Sequence, residues 1–494
     1  MSRPATDSFS SSKPPHTFKS SSSILIVGAG VFGLGTALAL ARRHAFSGCP
    51  ITVLDRSADP AVFPSRDASS VDSSRIIRAD YADPAYAALA AEAQVEWRKA
   101  GEDQLGGQGR YSESGLVVVA DGDPTTQPDG APTLQQPTTH KTGADYCRSS
   151  WENVVAISER NGAMKDKIQL LPTQDDIRKA IGTGGVSGVW GYINRASGWA
   201  DADQSMRWLF RHAKDSGRIS FVSGTASSLT REGSKITGVT LDDGRDMSAD
   251  LVILATGAWT GGLVDLRGRA VATAQTLAYL DITDEEQAAL AAQPVILNLS
   301  SGLFVIPPRN NVLKVARHEY GYLNPTTAKP LRSPSDAARS EDDAAATSCP
   351  ISLPPRNVED AFHEIPERSK AVLRTALKDM VPLPAIHDRP FAKTKVCWYN
   401  DTSTGDFIID YHPDWDGLFI ATGGSGHGFK FLPVLGERIV DCVVGERPEA
   451  FKTKWAFHST TPSTTTTWNA VSTQDGSRAG ETGLLFSDEM TKAS

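Results

Sequence analysis

Ile24-Leu25-Ile26-Val27-Gly28-Ala29-Gly30-Val31-Phe32-Gly33 decides the fold. Four apolar, mostly β-branched residues read as a buried strand, the Gly-x-Gly-x-x-Gly run as a tight turn, and the apolar residues that follow as a helix. Ile24 to Ala41 is eighteen residues without a charge, the length at which a membrane helix becomes a candidate. Gly28, Gly30, Gly33 and Gly35 inside it favour strand, turn and helix over one continuous span. In that arrangement Gly28 makes the turn, Gly30 admits a pyrophosphate to the backbone, and Gly33 lets helix lie on strand. The helix start at Val31 and Phe32 then faces the phosphates with free N–H groups. A second strand, Ile51 to Leu54, ends in Asp55, 22 residues beyond Gly33, where a carboxylate accepts from ribose hydroxyls. With Arg56 beside it, Asp55 completes a dinucleotide site, and its charge disfavours a 2′-phosphate and so NADP.

Outward from this unit, the chain is too long for one ordinary core: 494 residues imply two or three domains. Fifty Lys and Arg against 58 Asp and Glu, a net charge of −8, leave no basic surplus for a phosphate backbone, so nucleic acid is not an expected partner. Cys49, Cys147, Cys349, Cys397 and Cys442 are scattered, without a Cys-x-x-Cys pair, which argues against a disulfide framework and a zinc site. No metal is expected. The leader lacks an apolar h-region, residues 1–22 read as a disordered tail, and the ending Lys492-Ala493-Ser494 is not a peroxisomal Ser-Lys-Leu. A cytoplasmic monomer without membrane contact is expected.

Strand and helix signals alternate along the rest. Pro84 to Lys99 and Gln204 to Ala213 have helical spacing; Leu116 to Val119, Ile219 to Val222, Ile236 to Leu241 and Leu251 to Ala255 read as strands. This is an α/β (α+β) protein with antiparallel additions. The expected division is an FAD-type nucleotide domain of 23–112, 196–262 and 404–457, and a substrate domain of 113–195 and 263–403. Polar, Pro-rich stretches near 121–142 and 324–356 read as surface insertions, and 458–494, with its Thr464-Thr465-Thr466-Thr467 run, as a low-complexity tail without chemistry.

Further patches carry more than composition. These are Gly198-Trp199-Ala200-Asp201, Ala255-Thr256-Gly257-Ala258-Trp259, Ser73-Ser74-Arg75-Ile76-Ile77-Arg78 with Tyr81, and Lys314-Val315-Ala316-Arg317-His318. To them belong Lys395-Val396-Cys397-Trp398-Tyr399, Asp406 to Pro413, and Gly423-Gly424-Ser425-Gly426-His427-Gly428-Phe429-Lys430-Phe431. Residue by residue, two arginines read as a solvated stripe, a lone His as structural, a strand Cys as a small hydrophobe, and a glycine run as a turn before a helix. Taken together, the set resembles the monomeric sarcosine oxidase family and its fungal relatives, the pipecolate, saccharopine and fructosyl amino acid oxidases (amadoriases), over most of residues 23–450.

The resemblance implies a Rossmann-like FAD-binding domain of the amino-acid-oxidase and glutathione-reductase type, joined to a mixed-sheet substrate domain. It places Ser74 and Arg75 against the isoalloxazine, and the backbone of Gly426, His427, Gly428, Phe429 and Lys430 at the flavin's pyrimidine edge. It joins Cys397 through sulfur to the flavin 8α-methyl. Arg78 and Lys430 share the substrate carboxylate, with no acidic partner expected for the two cations. Lys314 assists reaction with O₂, where a fixed cation stabilises the developing superoxide, while His318 and Tyr399 adjoin the substrate. The implied activity is oxidation of a secondary amino acid at a C–N bond, giving an imine and hydrogen peroxide. Amadoriases differ at residues 75–78, so the substrate leans towards the sarcosine and pipecolate type. An FAD-dependent dehydrogenase with another electron acceptor is the alternative.

Overall fold

The strand Ile24–Val27 lies inside a six-stranded sheet, between Leu251–Leu254 and Ile51–Asp55, parallel to both. Ile219–Ser223 continues the sheet on one side, and Leu418–Thr422 then antiparallel Ile408–Tyr411 on the other. A computed structural model describes residues 22–122, 141–161, 165–334, 349–355, 364–458, 473 and 475–492. Gly28 has φ +105°, and a Cβ on Gly33 would fall 1.8 Å from the Gly28 carbonyl oxygen, so the fingerprint turn closes only with glycine at both. The helix Val31–Arg42 follows and lies against the helix Leu432–Val443. A Cβ on Gly436 would stand 2.1 Å from the Gly35 oxygen, so glycine at 436 is what lets the two helices approach at Gly35.

A second, mixed sheet has eight strands: Lys393–Thr402, Ala270–Asp281, Val312–Arg317, Leu303–Arg309, Val295–Asn298, Leu116–Ala120, Trp190–Asn194 and Ile168–Leu171. Strand alternation sorts its side chains. Leu313, Val315, Val396 and Trp398 join the core beneath the helix Glu367–Met380. Lys314, Lys395, Cys397 and Tyr399 take the opposite face, where Tyr279 pairs with Lys314 and Gln275 with Cys397. Between the two sheets, Arg75–Ile77 pairs antiparallel with Gly198–Ala200, which also pairs with Tyr111–Ser112.

The expected strands and helices recur with ends shifted by a residue or two. The helix Pro84–Trp97 starts on Asp83, whose carboxylate accepts from the N–H groups of Ala85 and Tyr86. Two expectations need correction. The 324–356 insertion holds an antiparallel pair, Pro325–Ala328 with Cys349–Ser352, and Thr326, Thr327, Ala328 and Leu353 of this insertion line the nucleotide cleft. The tail after 458 is not all without structure: Ala479 bridges Glu319, Leu485 bridges Leu323, and a helix covers Phe486–Thr491. Apolar Leu484, Leu485 and Phe486 and the buried Arg478 explain the docking, which the Thr run preceding them obscures in the sequence. Residues 1–21 and 123–140 and the Thr464–Thr467 run lie outside the described residues. Among the described residues, no helix is long and apolar enough to cross a membrane.

Candidate active site

A cleft of about 760 Å³ runs from the fingerprint turn across the first sheet. Gly28, Gly30, Val31, Phe32, Asp55, Arg56 and Arg75 all line it, and a Cβ on Gly30 would meet nothing within 4 Å, so backbone there is open to a ligand. Asp55 accepts from the N–H of Ala29 (2.8 Å) and of Ser57 (2.8 Å), which ties the second strand to the glycine turn. Arg56 is bonded to Asp67 and lies 4.5 Å over the Trp259 ring. The insertion pair closes the cleft from the far side through Thr326, Thr327 and Leu353. An elongated dinucleotide fits this volume and this donor set.

Gly424, Ser425, Gly426, Gly428 and Phe429 line the same cleft. Ser425 sits in the left-handed region at φ +44°, and its N–H donates to the Asn400 oxygen (3.0 Å). A Cβ on Gly426 would lie 2.3 Å from the Tyr399 ring and 3.0 Å from the His318 ring, so glycine is what lets this loop touch both. The N–H of His427 is spent on the Gly424 oxygen (2.9 Å). Its ring lies between the Tyr81 hydroxyl (3.0 Å) and the Gly405 oxygen (2.7 Å). Nε2 donates to that carbonyl and Nδ1 accepts from the phenol, as a neutral imidazole must. Burial and the nearby cations hold His427 and His318 well below the usual imidazole range, so both stay neutral.

Behind the loop is a smaller cavity of about 80 Å³ that shares Arg75, Tyr399, Gly426 and Phe429 with the cleft. Arg78, Lys314, His318, Cys397, His427 and Lys430 all line it, with Leu277, Leu297 and Phe304 as apolar wall. The residues singled out in four separate stretches of sequence thus meet at one place. Ser74 contributes its carbonyl oxygen, which accepts from Lys314 (2.9 Å) and Arg75 (3.2 Å).

The cations fall into two groups. Around Asp72, Lys314 donates to one carboxylate oxygen at 2.6 Å, Arg75 is ion-paired to the same oxygen, and the Tyr279 hydroxyl donates to the other at 2.6 Å. Lys395 donates to the neighbouring Val71 carbonyl (2.7 Å). Burial opposes the Asp72 charge, but Lys314, Arg75 and Lys395 overcome it and hold the carboxyl far below its ordinary range. Burial likewise depresses Lys314 to about 8, against the pull of Asp72. Arg75 also reaches Cys397, with Nη2 3.6 Å from Sγ. Sequence reasoning missed Asp72: a single Asp in a Ser-rich stretch carries no signal until the fold surrounds it with cations.

Around Tyr81 the pattern differs. Arg78 lies 4.9 Å and Lys430 5.2 Å from the ring centre, and Nη1 of Arg78 is buried without a hydrogen-bond partner. Lys430 donates to the His427 carbonyl (3.0 Å). Burial and then Arg78 push its ammonium well below the ordinary lysine range, opposed by Asp80. The expectation that this pair lacks any acid is therefore corrected, because Asp80 offsets it. Yet Asp80 itself is fully buried and bonded to Ser197 (2.7 Å) and Asn194 (3.1 Å). Two cations against one aromatic ring, one of them with an unfilled donor, are an arrangement that can bind a carboxylate.

A model of the DAO family, FAD dependent oxidoreductase, matches residues 23–442. Amino acid oxidase imqH of Aspergillus flavus is 34% identical over 459 residues, covering 85% of this chain and 92% of its own length. L-saccharopine oxidase of Schizosaccharomyces pombe is 27% identical over 468 residues, covering 91% and 96%. Among solved structures, the deglycating fructosamine oxidase amadoriase II of Aspergillus fumigatus matches with TM-score 0.70 and 26% identity over 95% of this chain and 97% of its own.

Proposed function

The chain belongs to the DAO family of FAD-dependent oxidoreductases, and on that premise we propose that it oxidises a secondary, N-alkyl amino acid to an imine, reducing O₂ to hydrogen peroxide. It is an amino acid oxidase of the sarcosine, saccharopine and amadoriase group, acting on a CH–NH bond. The observation that carries the finer reading is the unpartnered Nη1 of Arg78, which with Lys430 lines a cavity that shares its wall with the nucleotide cleft.

FAD, when bound, would supply two-electron transfer between the C–N bond and O₂. Gly28 to Gly33, Asp55 and Arg56 would hold its dinucleotide part, with Arg75 and the Gly424–Phe429 residues at the end nearest the cavity. The substrate carboxylate takes the Arg78 fork and the Lys430 ammonium, which fixes the α-carbon and nitrogen against the cleft and converts an encounter into a held geometry. His318 and Tyr399 form the far wall, and their neutrality keeps them from competing for the carboxylate. Lys314, held by Asp72, supplies a fixed positive charge where oxygen is reduced. The reading extends to the chain's two domains, 23–112, 196–262 and 404–457 for the nucleotide and 113–195 and 263–403 for the substrate.

Cys397 lines the cavity with Arg75 Nη2 3.6 Å from its sulfur, and it is the residue that would carry a covalent bond to the flavin 8α-methyl. Yellow fluorescence should stay with the protein band on a denaturing gel and vanish in Cys397→Ala; flavin released by acid from the unaltered enzyme rules the link out. Substrate class is tested by a peroxide assay over sarcosine, pipecolate, saccharopine, fructosyl-valine and N-methyl aromatic amino acids. Turnover with an artificial acceptor but not with O₂ would make the protein a dehydrogenase.

A further inference from the structure

Arg478 lies beyond the family match, which ends at residue 442. It sits on a segment that sequence composition assigns to a tail, yet its side chain is 3% exposed. Nη2 donates to Asp401 Oδ1 (2.5 Å) and to the Ser425 oxygen (2.9 Å), Nη1 donates to the Glu319 oxygen (3.0 Å), and Cζ lies 5.4 Å from the centre of the Tyr399 ring. Each partner belongs to an element that delivers a cavity residue. Asp401 is on the strand of Cys397 and Tyr399, Ser425 is the left-handed residue before Gly426, and Glu319 follows His318.

We propose that Arg478 is a positioning residue of the active site, locking Tyr399, His318 and the Gly423–Gly428 loop into one mutual geometry from behind the cavity. The proposal rests on reading that cavity as the substrate site. The segment's path supports it. Thr473 donates to the Thr402 carbonyl (3.2 Å), Gly476 passes so close to residue 142 that a Cβ would lie 2.1 Å from the Thr142 oxygen, and Tyr320 N donates to the Ala479 oxygen (3.0 Å). The segment thus laces the exit of the Tyr399 strand to the exit of the Lys314 strand, and among the described residues Arg478 is the side chain of it that reaches all three elements of the wall. A guanidinium suits the place because its planar fork meets several acceptors in one plane while its face stacks on a ring; an ammonium offers a point charge. Asp401, whose other oxygen accepts from Thr273 (2.5 Å), neutralises the added charge next to Arg78 and Lys430.

The test uses the full-length, flavin-loaded enzyme. Arg478→Lys keeps the charge and loses the fork; Arg478→Met with Asp401→Asn removes the pair without leaving a carboxylate buried alone. Both should lower kcat per bound flavin by about 10- to 100-fold, the cost of a small misplacement. KM should change little, since Arg78 and Lys430 remain, and the flavin absorbance change on adding acetate should be altered in shape. A merely structural staple would lower Tm while kcat per flavin stayed within about twofold of the unaltered enzyme, and that result overturns the proposal. Should the double variant not fold, Arg478→Lys alone decides. If the unaltered enzyme oxidises no amino acid, the functional reading fails; the acetate-induced spectrum of Arg478→Lys, changed or unchanged, still decides the role of Arg478.

Discussion

Two clusters of positive charge, each joining an arginine of the 75–78 stretch to a distant lysine, are built on opposite plans. Lys314 and Arg75 are bonded directly to Asp72, whose carboxylate is filled by them and by Tyr279. Arg78 and Lys430 both lie against the Tyr81 ring and feel Asp80 only at a distance, Asp80 being bonded to Ser197 and Asn194. The first cluster is complete without a ligand; the second becomes complete with one. On the proposed reading, a fixed charge that meets neutral O₂ needs no vacant site, whereas a charge that captures an anion has to leave a donor open.

The comparison breaks most readily at Asp72. Asp72→Asn strands Lys314 and Arg75 as buried, uncompensated cations, and removing one partner of such a network costs about 3–5 kcal/mol. Denaturant unfolding of the flavin-loaded protein should show that loss, while Asp80→Asn, next to the open cluster, should cost less. Equal losses would mean that the two clusters are not different in kind.

Arg78→Ala acts on the other side. It should cost about 2–5 kcal/mol in kcat/KM for an N-alkyl amino acid, as for truncating one side of a charge pair that forms on binding. Because Arg78 is buried and also meets Tyr81 and Tyr146, the comparison is made per folded, flavin-loaded protein. For the decarboxylated amine the loss should be small, so the ratio of the two substrates measures the clamp. An unaltered enzyme that prefers the plain amine would turn the reading into a general amine oxidase on the same fold.

Lys314→Met separates the two half-reactions. Re-oxidation should slow by about 10²–10³-fold, the cost of one oxyanion donor, with reduction by substrate much less affected in stopped flow. Because Lys314 titrates near 8, its cation is full below that pH and lost above it. Re-oxidation in the unaltered enzyme should therefore fall as pH rises through about 8, and the variant should lack that limb. Equal slowing of both half-reactions would remove Lys314 from the oxygen step.

What was legible in the sequence follows from how each signal is encoded. The fingerprint turn, Asp55 and the Gly423–Gly428 run are local patterns whose chemistry and backbone demands share a few consecutive residues, so they can be read directly. Lys314, Cys397 and Tyr399 are ordinary strand residues; only resemblance singles them out, and strand alternation then aims them at one face. Asp72, Asp80 and Arg478 carry no local pattern. Their roles come from partners 242, 117 and 77 residues away in sequence, at Lys314, Ser197 and Asp401. Buried counter-charges are properties of the fold, and composition misplaces them as it misplaced the segment after 458.

The open cluster makes one further, smaller claim about protons. Lys430 is held well below the ordinary lysine range first by burial and then by Arg78, with Asp80 opposing. The other titratable groups facing it stay silent: burial pushes the Tyr81 phenol far up and the His427 imidazole far down. A bound carboxylate favours the ammonium over the amine, so Lys430 must titrate higher in the complex than in the free enzyme. Linkage then fixes the sign. Below the free-enzyme value Lys430 is already charged and acetate affinity is flat; between the free and bound values each bound acetate takes up a proton, and affinity falls by about tenfold per pH unit as pH rises. Above the bound value affinity is flat again. Calorimetry of acetate binding in buffers of different ionisation enthalpy counts the proton directly. Lys430→Met should abolish the uptake while leaving weaker, pH-independent binding to Arg78. Acetate affinity that ignores pH in the unaltered enzyme, with no proton taken up, would mean that Lys430 is not part of the receptor and that Arg78 holds the carboxylate alone.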